Sequence, residues 1–392
     1  MKIRNYIDRT LRGSVDAVVG KYPVVTITGP RQSGKTVLCQ HLFPDLPYRN
    51  LEDVELRALA TEDPKSFLSE FKNGAIIDEV QYVPELLSSI QVLVDRPDFD
   101  GLFVLTGSQN LLLSASITQS LAGRTALFAL LPFCMNELPV ENRCTQAEEY
   151  IFKGFYPRIY DAQIDPNRFY SDYITTYLER DVRSQRSVED ILLFRKFMGL
   201  CAGRTGSILN MDALASETGV SSRTARIWLE ILELSYIVYR LPPFHRNISK
   251  RLVKRPKLYF YDVGLASHLL DIRQSDHLKN HPLFGALFET LVSSEIMKQR
   301  AHLGQSGGAY FYRDNHGKEV DLLLNRSGRW DLFEIKSAQT YQKEFTRTMK
   351  LFEKNVGDVN EMHLIYGGDQ TQSVGNVQLM SYQTLHSGLR VE

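Results

Sequence analysis

The feature that most constrains this chain is the stretch Gly29-Pro30-Arg31-Gln32-Ser33-Gly34-Lys35-Thr36. A β-branched run ends at Thr28 just before it, and a helix-forming segment begins at Val37 just after it. A strand, a glycine-rich turn and a helix start form the setting of a phosphate-binding loop, whose backbone N–H groups converge on phosphate oxygens. The predicted nucleotide-binding residues are Gly29, Pro30, Arg31, Gln32, Ser33, Gly34, Lys35, Thr36 and Val37.

Two further strand ends complete this predicted site. Asp78 and Glu79 follow a short apolar strand, with Asp78 43 residues after Lys35. With ATP bound, Lys35 would reach the β- and γ-phosphates, Thr36 and Asp78 would hold Mg²⁺, and Glu79 would polarise the attacking water. The strand Leu102–Thr106 is followed by polar residues that could sense the γ-phosphate or position the water, or else only cap a turn. Ser108 is the first choice for this role and Gln109 is the second.

Composition restricts the location and the partners of the protein. Lys plus Arg and Asp plus Glu both number 46, so no global field attracts nucleic acid and any basic surface must be local. The four cysteines show no C-x-x-C spacing, which favours a reducing cytosol. The N-terminus has no apolar core typical of a signal peptide, and no run of 18 apolar residues occurs. We therefore predict a soluble, cytoplasmic protein that does not enter membranes.

These segments together resemble the AAA superfamily of ATPases, in the prokaryotic group whose ATPase core precedes a domain of unknown function. The matching segments are G-P-R-Q-x-G-K-T, I-D-E-V, L-T-G-S and, at Leu121–Arg124, L-x-G-R. The resemblance implies a parallel sheet between helices and a ring oligomer, such as a hexamer, in which an arginine completes a neighbour's site. Arg124 is the residue carried over for that role, Arg180 is its rival, and a structural arginine paired with an acid is the alternative.

The middle of the chain predicts a winged helix-turn-helix. Met211–Thr218 has helical apolar spacing, Gly219 suits a left-handed C-cap, and Ser221 or Ser222 can cap the next helix. That helix would bury one face, and a wing strand at 236–241 would follow it. The residues predicted to face the core are Ala225, Trp228, Leu229 and Leu232.

Local charge favours a DNA-binding face in the same region. Between Arg195 and Lys257 there are twelve basic residues and four acidic ones. Such a patch could neutralise backbone phosphates without reading the base sequence, although winged helices also serve as packing units. The predicted DNA-binding residues are Arg223, Arg226, Lys250, Arg251, Lys254 and Arg255, and Lys257 belongs to the same predicted patch.

A second candidate site lies in the last third. Asp321 begins one strand, and Glu334 and Lys336 lie on the same face of the next strand. This pattern resembles the PD-(D/E)XK nucleases, which implies that Asp321 and Glu334 bind a divalent metal and that Lys336 orients or deprotonates water, with Glu289 completing the site. Val320 replaces the proline of that motif, and Glu319 is a competing ligand. The alternative is a charged sheet edge.

The predicted fold is therefore α/β: an AAA-type parallel-sheet core at 1–140, a helical lid or linker at 141–200, a winged helix at 201–262 and a restriction-endonuclease-like domain at 263–392. From Tyr341 onward, one helix and two further strands would complete the last domain. The leading hypothesis is an ATPase that uses Mg²⁺ and ATP to act on DNA, including branched DNA, with a C-terminal domain that binds DNA and possesses the residues for cleaving it. One alternative is a nucleotide-gated regulatory or assembly protein whose C-terminal domain is a non-catalytic binding module. Another is a defence or toxin-linked nuclease.

Overall fold

The structure is a computed structural model that describes residues 6–108, 120–178, 190–245 and 255–388. Its α-helices in these ranges are α1 (Leu11–Asp16), α2 (Lys35–Leu42), α3 (Val54–Glu62), α4 (Pro64–Ser69), α5 (Leu86–Val94), α6 (Ala147–Lys153), α7 (Pro157–Asp161), α8 (Pro166–Tyr173), α9 (Ile191–Ala202), α10 (Met211–Thr218), α11 (Ser222–Leu234), α12 (Val263–Leu269), α13 (Phe284–His302) and α14 (Arg347–Val356). Its strands are β1 (Val24–Thr28), β2 (Tyr48–Asn50), β3 (Ile76–Asp78), β4 (Phe103–Gly107), β5 (Thr125–Ala129), β6 (Ser207–Ile208), β7 (Val238–Leu241), β8 (Lys257–Phe260), β9 (Ala309–Arg313), β10 (Glu319–Arg326), β11 (Arg329–Lys336), β12 (Val359–Tyr366), β13 (Gln372–Val374) and β14 (Val377–Ser381).

The first sheet is parallel throughout, as predicted, with strand order β2-β3-β4-β1-β5. Every residue of β1 and β4 is buried, as expected for a parallel sheet covered by helices. Because parallel strands end at the same edge, the segments that follow β1, β3 and β4 meet there. Those segments carry the phosphate-binding loop, Glu79 and Ser108.

The two helices of the predicted helix-turn-helix lie where the sequence predicted them, whereas the strand predicted at 236–241 begins only at Val238. Asn210 caps α10, Gly219 ends it with φ 92°, and the Ser221 side chain caps α11 by accepting a hydrogen bond from Thr224 N at 3.0 Å. The four residues predicted to face the core are buried, namely Ala225, Trp228, Leu229 and Leu232. Strands β6, β8 and β7 form an antiparallel sheet beside these helices.

The last sheet is mixed and has the order β13-β14-β12-β11-β10-β9. Strands β9, β10 and β11 pair antiparallel, whereas β11, β12 and β14 pair parallel. The prediction of one helix and two strands after residue 341 was wrong by one strand, because β13 and β14 form a short hairpin at the edge of the sheet. Helix α13 packs against β11 and is buried along most of its length.

A single hydrophobic cluster joins α6–α8, α9–α11, α12, α13 and one face of the last sheet. The helices predicted as a lid therefore pack on α12 and α13. At their centre, Asp262 accepts hydrogen bonds from Phe155 N at 2.7 Å, Tyr170 OH at 2.6 Å and Leu265 N at 2.8 Å. Within the described ranges, no helix has both the length and the apolar character that a membrane span requires.

Candidate functional site

The phosphate-binding loop has the backbone conformation that its glycines allow. Gly29 and Gly34 have φ of 144° and 97°, and a Cβ atom on Gly29 would collide with the carbonyl oxygen of Leu130. Ser33 Oγ is buried and has no hydrogen-bond partner among the described residues, so the loop contains a polar atom that a phosphate oxygen could satisfy. The loop therefore fits the ligand that its sequence predicts.

Lys35 is held inside this loop. Its ammonium donates hydrogen bonds to the carbonyl oxygens of Gly29 at 3.1 Å and Pro30 at 2.9 Å, and the residue is only 6% exposed. Burial lowers the pKa of Lys35 below its usual value, and the nearby carboxylates of Glu79 and Asp78 offset only part of this effect. A bound phosphate would give this buried cation a stronger partner than two neutral carbonyls.

Asp78 is the centre of a group of hydroxyls at the same sheet edge. The residue is 2% exposed, and its Oδ2 accepts hydrogen bonds from Thr36 Oγ1 at 2.6 Å and Tyr48 OH at 2.7 Å. The Thr106 hydroxyl donates to Oδ1. Burial and the Asp78 carboxylate raise the pKa of Tyr48, which stays a neutral donor. Adjacent carboxylate and hydroxyl oxygens are the ligands that Mg²⁺ prefers, so Thr36 and Asp78 fit their predicted role.

Glu79 follows in a left-handed backbone conformation, with φ 57°. A non-glycine residue in this region is strained and is common at functional sites. Its Oε2 accepts a hydrogen bond from Ser108 Oγ at 3.2 Å and another from the Gln81 amide. The structure thus brings together the predicted base and Ser108, while Gln109 lies outside the described residues.

Arg124 lies at the amino-terminal ends of the strands, opposite the phosphate-binding loop, because it precedes the first residue of β5, which runs parallel to β1. Its guanidinium forms two hydrogen bonds with Asp95, at 2.6 and 2.8 Å. This is the pairing expected if Arg124 is a structural arginine paired with an acid. It cannot complete the site of its own subunit from there. A role toward a neighbouring subunit stays a prediction, and Arg180 lies outside the described residues.

Two residues that the sequence did not predict contact the loop or the strand end before it. Arg9 donates hydrogen bonds to the carbonyl oxygens of Ser33 at 2.8 Å and Leu131 at 2.6 Å. The hydroxyl of Tyr236, in the turn after α11, lies 2.7 Å from Thr28 Oγ1 at the end of β1. Neither contact has a local sequence signal, because the partners are 24 or more residues apart.

The nuclease-like residues also converge. Lys336 Nζ lies 2.6 Å from Glu334 Oε1 and 3.5 Å from Asp321 Oδ2, and Ile335 N donates a hydrogen bond to Asp321 Oδ2 at 2.8 Å. Glu289 on α13 and Glu319 on β10 point into the same cluster. The predicted set is therefore assembled, with the competing acid included.

Lys257 does not lie where its sequence context predicted. It is 3% exposed, so it does not belong to a DNA-facing patch, and its ammonium pairs with Glu289, Glu319 and Asp321. Burial lowers the pKa of Lys257, but these three carboxylates together raise it above its usual value. Burial and the Asp321 carboxylate raise the pKa of Glu289 to about 7, although Lys257 opposes this.

This arrangement does not fit a divalent metal ion. Glu334 Oε2 is buried without a hydrogen-bond partner among the described residues, as a metal ligand would be. However, the Lys257 ammonium lies among the other three carboxylates, 3.8 Å from Asp321 Oδ1, so a metal ion bound by the predicted ligands would lie close to it. Like charges so close together in a buried site repel strongly.

Three of the six predicted DNA-binding residues lie in the part of the chain that the structure describes. Arg223, Arg226 and Arg255 are exposed, whereas Lys250, Arg251 and Lys254 lie outside the described residues.

Potential ligand atoms of Cys134, Glu137 and His302 lie within 4.8 Å of one another in the core. Glu137 already accepts hydrogen bonds from Arg9 and from two backbone N–H groups, so packing explains this group without an ion.

Three family models match successive parts of this chain. Residues 21–139 match the AAA domain, 144–276 match a domain of unknown function (DUF8612), and 284–385 match another domain of unknown function (DUF4143). Among solved structures, the Walker-type ATPase paby2304 of Pyrococcus abyssi aligns with 67% of this chain and 96% of its own, at 14% identity and a TM-score of 0.45.

Two relatives are similar over most of the chain. The uncharacterized protein Rv2008c of Mycobacterium tuberculosis is 32% identical over 323 residues, which cover 81% of this chain and 71% of that protein. The uncharacterized protein MJ1544 of Methanocaldococcus jannaschii is 25% identical over 370 residues, covering 86% and 79% respectively. The chain is therefore an AAA-type P-loop ATPase with a DUF4143 domain after its ATPase core, and it belongs to the same family as the mycobacterial protein.

Proposed function

We propose that this protein hydrolyses ATP with Mg²⁺ and uses the turnover to act on DNA. The observation that carries the first half is the meeting of Lys35, Thr36, Asp78, Glu79 and Ser108 at one sheet edge. Lys35 would bind the β- and γ-phosphates, and Thr36 and Asp78 would hold Mg²⁺. The ion, when bound, neutralises charge on the phosphate oxygens.

Glu79 is the proposed general base. Its carboxylate is oriented by hydrogen bonds from Ser108 and Gln81, and these same bonds keep one oxygen occupied. The other oxygen can accept a proton from the attacking water. Ser108, beside Glu79, would orient that water or contact the γ-phosphate.

The test is a comparison of nucleotide binding and turnover in single variants. Lys35→Ala should weaken ATP binding, because the phosphates lose their buried cation. Glu79→Gln should bind ATP normally and hydrolyse it at least about 100-fold more slowly than wild type, as expected when a general base is lost. Glu85→Gln, at an exposed acid nearby, is the matched control. Normal turnover in Glu79→Gln would refute the assignment of the base.

DNA is the proposed partner of the helix-turn-helix. Arg223 and Arg226 lie one turn apart on α11 and both are exposed, and Arg255 is exposed just before β8. Exposed arginines on the second helix are suited to phosphate contacts. Tyr236, in the turn after α11, contacts the strand that leads into the phosphate-binding loop, which offers a direct physical route between DNA binding and nucleotide state.

Fluorescence anisotropy with single-stranded, duplex and branched DNA tests this half of the proposal. Arg223→Ala and Arg226→Ala should each weaken binding and lower the dependence of log affinity on log salt by about 1, as one phosphate contact is lost. Lys354→Ala, at an exposed lysine on α14, is the control. Unchanged affinity in both arginine variants would remove DNA from the proposal, as would ATP turnover that is indifferent to all three DNAs.

The alternative is a nucleotide-gated regulatory or assembly protein whose C-terminal domain binds partners without cutting. The Lys257 ammonium inside the acidic cluster favours this version of the C-terminal domain. Tight ATP retention without DNA stimulation would support it.

We further propose a cytoplasmic location and a ring oligomer with Arg124 at the neighbour's site. Sedimentation with and without ATP tests the assembly, and Arg124→Ala should lower turnover only in the assembled form.

A further inference from the structure

The acidic cluster of the C-terminal sheet is already built around a cation. Lys257 Nζ lies 2.8 Å from Glu289 Oε1 and 3.8 Å from Asp321 Oδ1, and it also pairs with Glu319 Oε1. The ring centroids of Tyr259 and Phe311 are 5.9 and 5.7 Å from the same nitrogen, within cation–π distance. An ammonium group offers three donors and no acceptor, so anionic oxygens and ring faces are its natural surroundings.

The position of Lys257 follows from the register of β8. Its backbone pairs with Ile208 on β6 and Leu241 on β7, and all four residues of β8 are buried. The side chain therefore points away from solvent and toward α13 and β10, which carry the acids. Lys257 links the three-stranded sheet of the middle region to the C-terminal sheet.

The charges in the cluster are close to balance when Lys257 is present. Four carboxylates meet here, those of Glu289, Glu319, Asp321 and Glu334. Among the described residues, the cations that pair with them are Lys257, Lys336 and Arg313, whose Nη1 lies 3.6 Å from Glu319. With all four carboxylates ionised, the cluster without Lys257 would have two uncompensated negative charges, which is what one divalent cation neutralises.

We infer that Lys257 takes the place of the divalent metal ion in this nuclease-like site. The wild-type domain therefore binds no metal between Glu289, Asp321 and Glu334, and it does not hydrolyse DNA there. The acids serve instead to fasten β8 to α13 and β10. A buried lysine needs such partners, since an unpaired buried charge is strongly destabilising. This inference is independent of the ATPase site and of DNA binding by α11.

Titration with Mn²⁺, followed by electron paramagnetic resonance of the free ion, tests the inference. The full chain is used without nucleotide and with Asp78→Asn, so that the phosphate-loop site contributes nothing. No Mn²⁺ should bind at the cluster in this background. Adding Lys257→Met should create one site per chain, at least tenfold tighter than any residual binding in the background. Lys354→Met, at an exposed lysine, is the matched control and should create none.

Further variants identify the ligands and guard against misfolding. Asp321→Asn should remove the new site from the Lys257→Met protein, and Lys257→Arg should bind no Mn²⁺ because it keeps the charge. A folded Lys257→Met protein that gains no Mn²⁺ site overturns the inference. If circular dichroism shows that the Lys257→Met protein is unfolded, the test is made in the Asp78→Asn protein with Lys257 intact, by comparing its Mn²⁺ binding with and without Asp321→Asn. Equal Mn²⁺ binding with and without Asp321→Asn supports the inference, and metal binding or DNA cleavage that Asp321→Asn abolishes overturns it.

Discussion

Replacing Glu137 by glutamine should destabilise the fold and weaken nucleotide binding together. Glu137 and Arg9 form a buried ion pair, with Arg9 Nε 3.2 Å from Glu137 Oε1 and both side chains at most 3% exposed. The carboxylate also accepts hydrogen bonds from Thr10 N at 2.7 Å and Cys134 N at 2.8 Å. Glutamine has nearly the same shape but leaves the buried guanidinium without its counter-charge.

The magnitude follows from this geometry. Removing one partner of a buried ion pair costs about 3–5 kcal/mol of unfolding free energy. Arg9 also holds the carbonyl oxygen of Ser33 in the phosphate-binding loop. A hydrogen bond contributes about 0.5–1.5 kcal/mol, so loosening this one should weaken ATP binding by roughly 2- to 12-fold.

The dependence on pH has a definite sign. Burial raises the pKa of Glu137, but the positive charge of Arg9, the neighbouring His302 and the Cys134 N–H together hold it below its usual value of 4.5. Because the folded-state pKa is the lower one, this stabilisation is fully present above about pH 4.5 and is lost as the pH falls further. Wild-type protein should therefore lose more stability on acidification than Glu137→Gln does.

Denaturant unfolding followed by tryptophan fluorescence measures the stability, and a fluorescent ATP analogue measures binding. Glu141→Gln, at an exposed acid close by in the chain, is the control. The double variant with Arg9→Met should recover part of the loss, since both buried charges are then gone. An unfolding free energy of Glu137→Gln within about 0.5 kcal/mol of wild type, or an acid profile that matches that of wild type, would refute this role of the ion pair.

Three further variants test other contacts. Gly29→Ala should abolish ATP binding because its Cβ would meet backbone, whereas Gly13→Ala has open space and should bind ATP normally; equal binding by both would contradict this. Tyr236→Phe should lower the unfolding free energy by about 0.5–1.5 kcal/mol through loss of its bond to Thr28, and no change in denaturant unfolding would argue against that bond. Asp262→Asn should cost about 1–3 kcal/mol, because an amide nitrogen would face one of three donors, and a wild-type unfolding midpoint would contradict it.

Local sequence signals predicted the parts of this protein that depend on neighbouring residues. The glycines of the phosphate-binding loop, the apolar run before Asp78 and the caps of α10 and α11 each specify a backbone conformation over a few residues. The alternation of side chains along β11 likewise predicted that Glu334 and Lys336 share a face. Parallel pairing of β1, β3 and β4 then brings their ends together, so the proximity of most predicted ATP-site residues follows from the sequence.

The same signals failed where a side chain's surroundings come from distant segments. Lys257 follows four basic residues in the preceding seven positions, so its sequence context predicted an exposed patch. The register of β8 instead turns it into the core, against acids 32 to 64 residues away. In the C-terminal region the sequence predicted one strand too few, because the pairing of β13 with β14 depends on a turn that composition alone did not reveal.

By itself, then, the amino-acid sequence determined the phosphate-binding loop, its acidic partners, the helix-turn-helix and the acids of the C-terminal sheet, since each is written in adjacent residues or in strand alternation. Only the tertiary structure decided which charges neutralise one another. Arg9 meets Glu137 across 128 positions, and Tyr236 meets Thr28 across 208. Such pairs arise from how whole elements pack, and no local pattern encodes them.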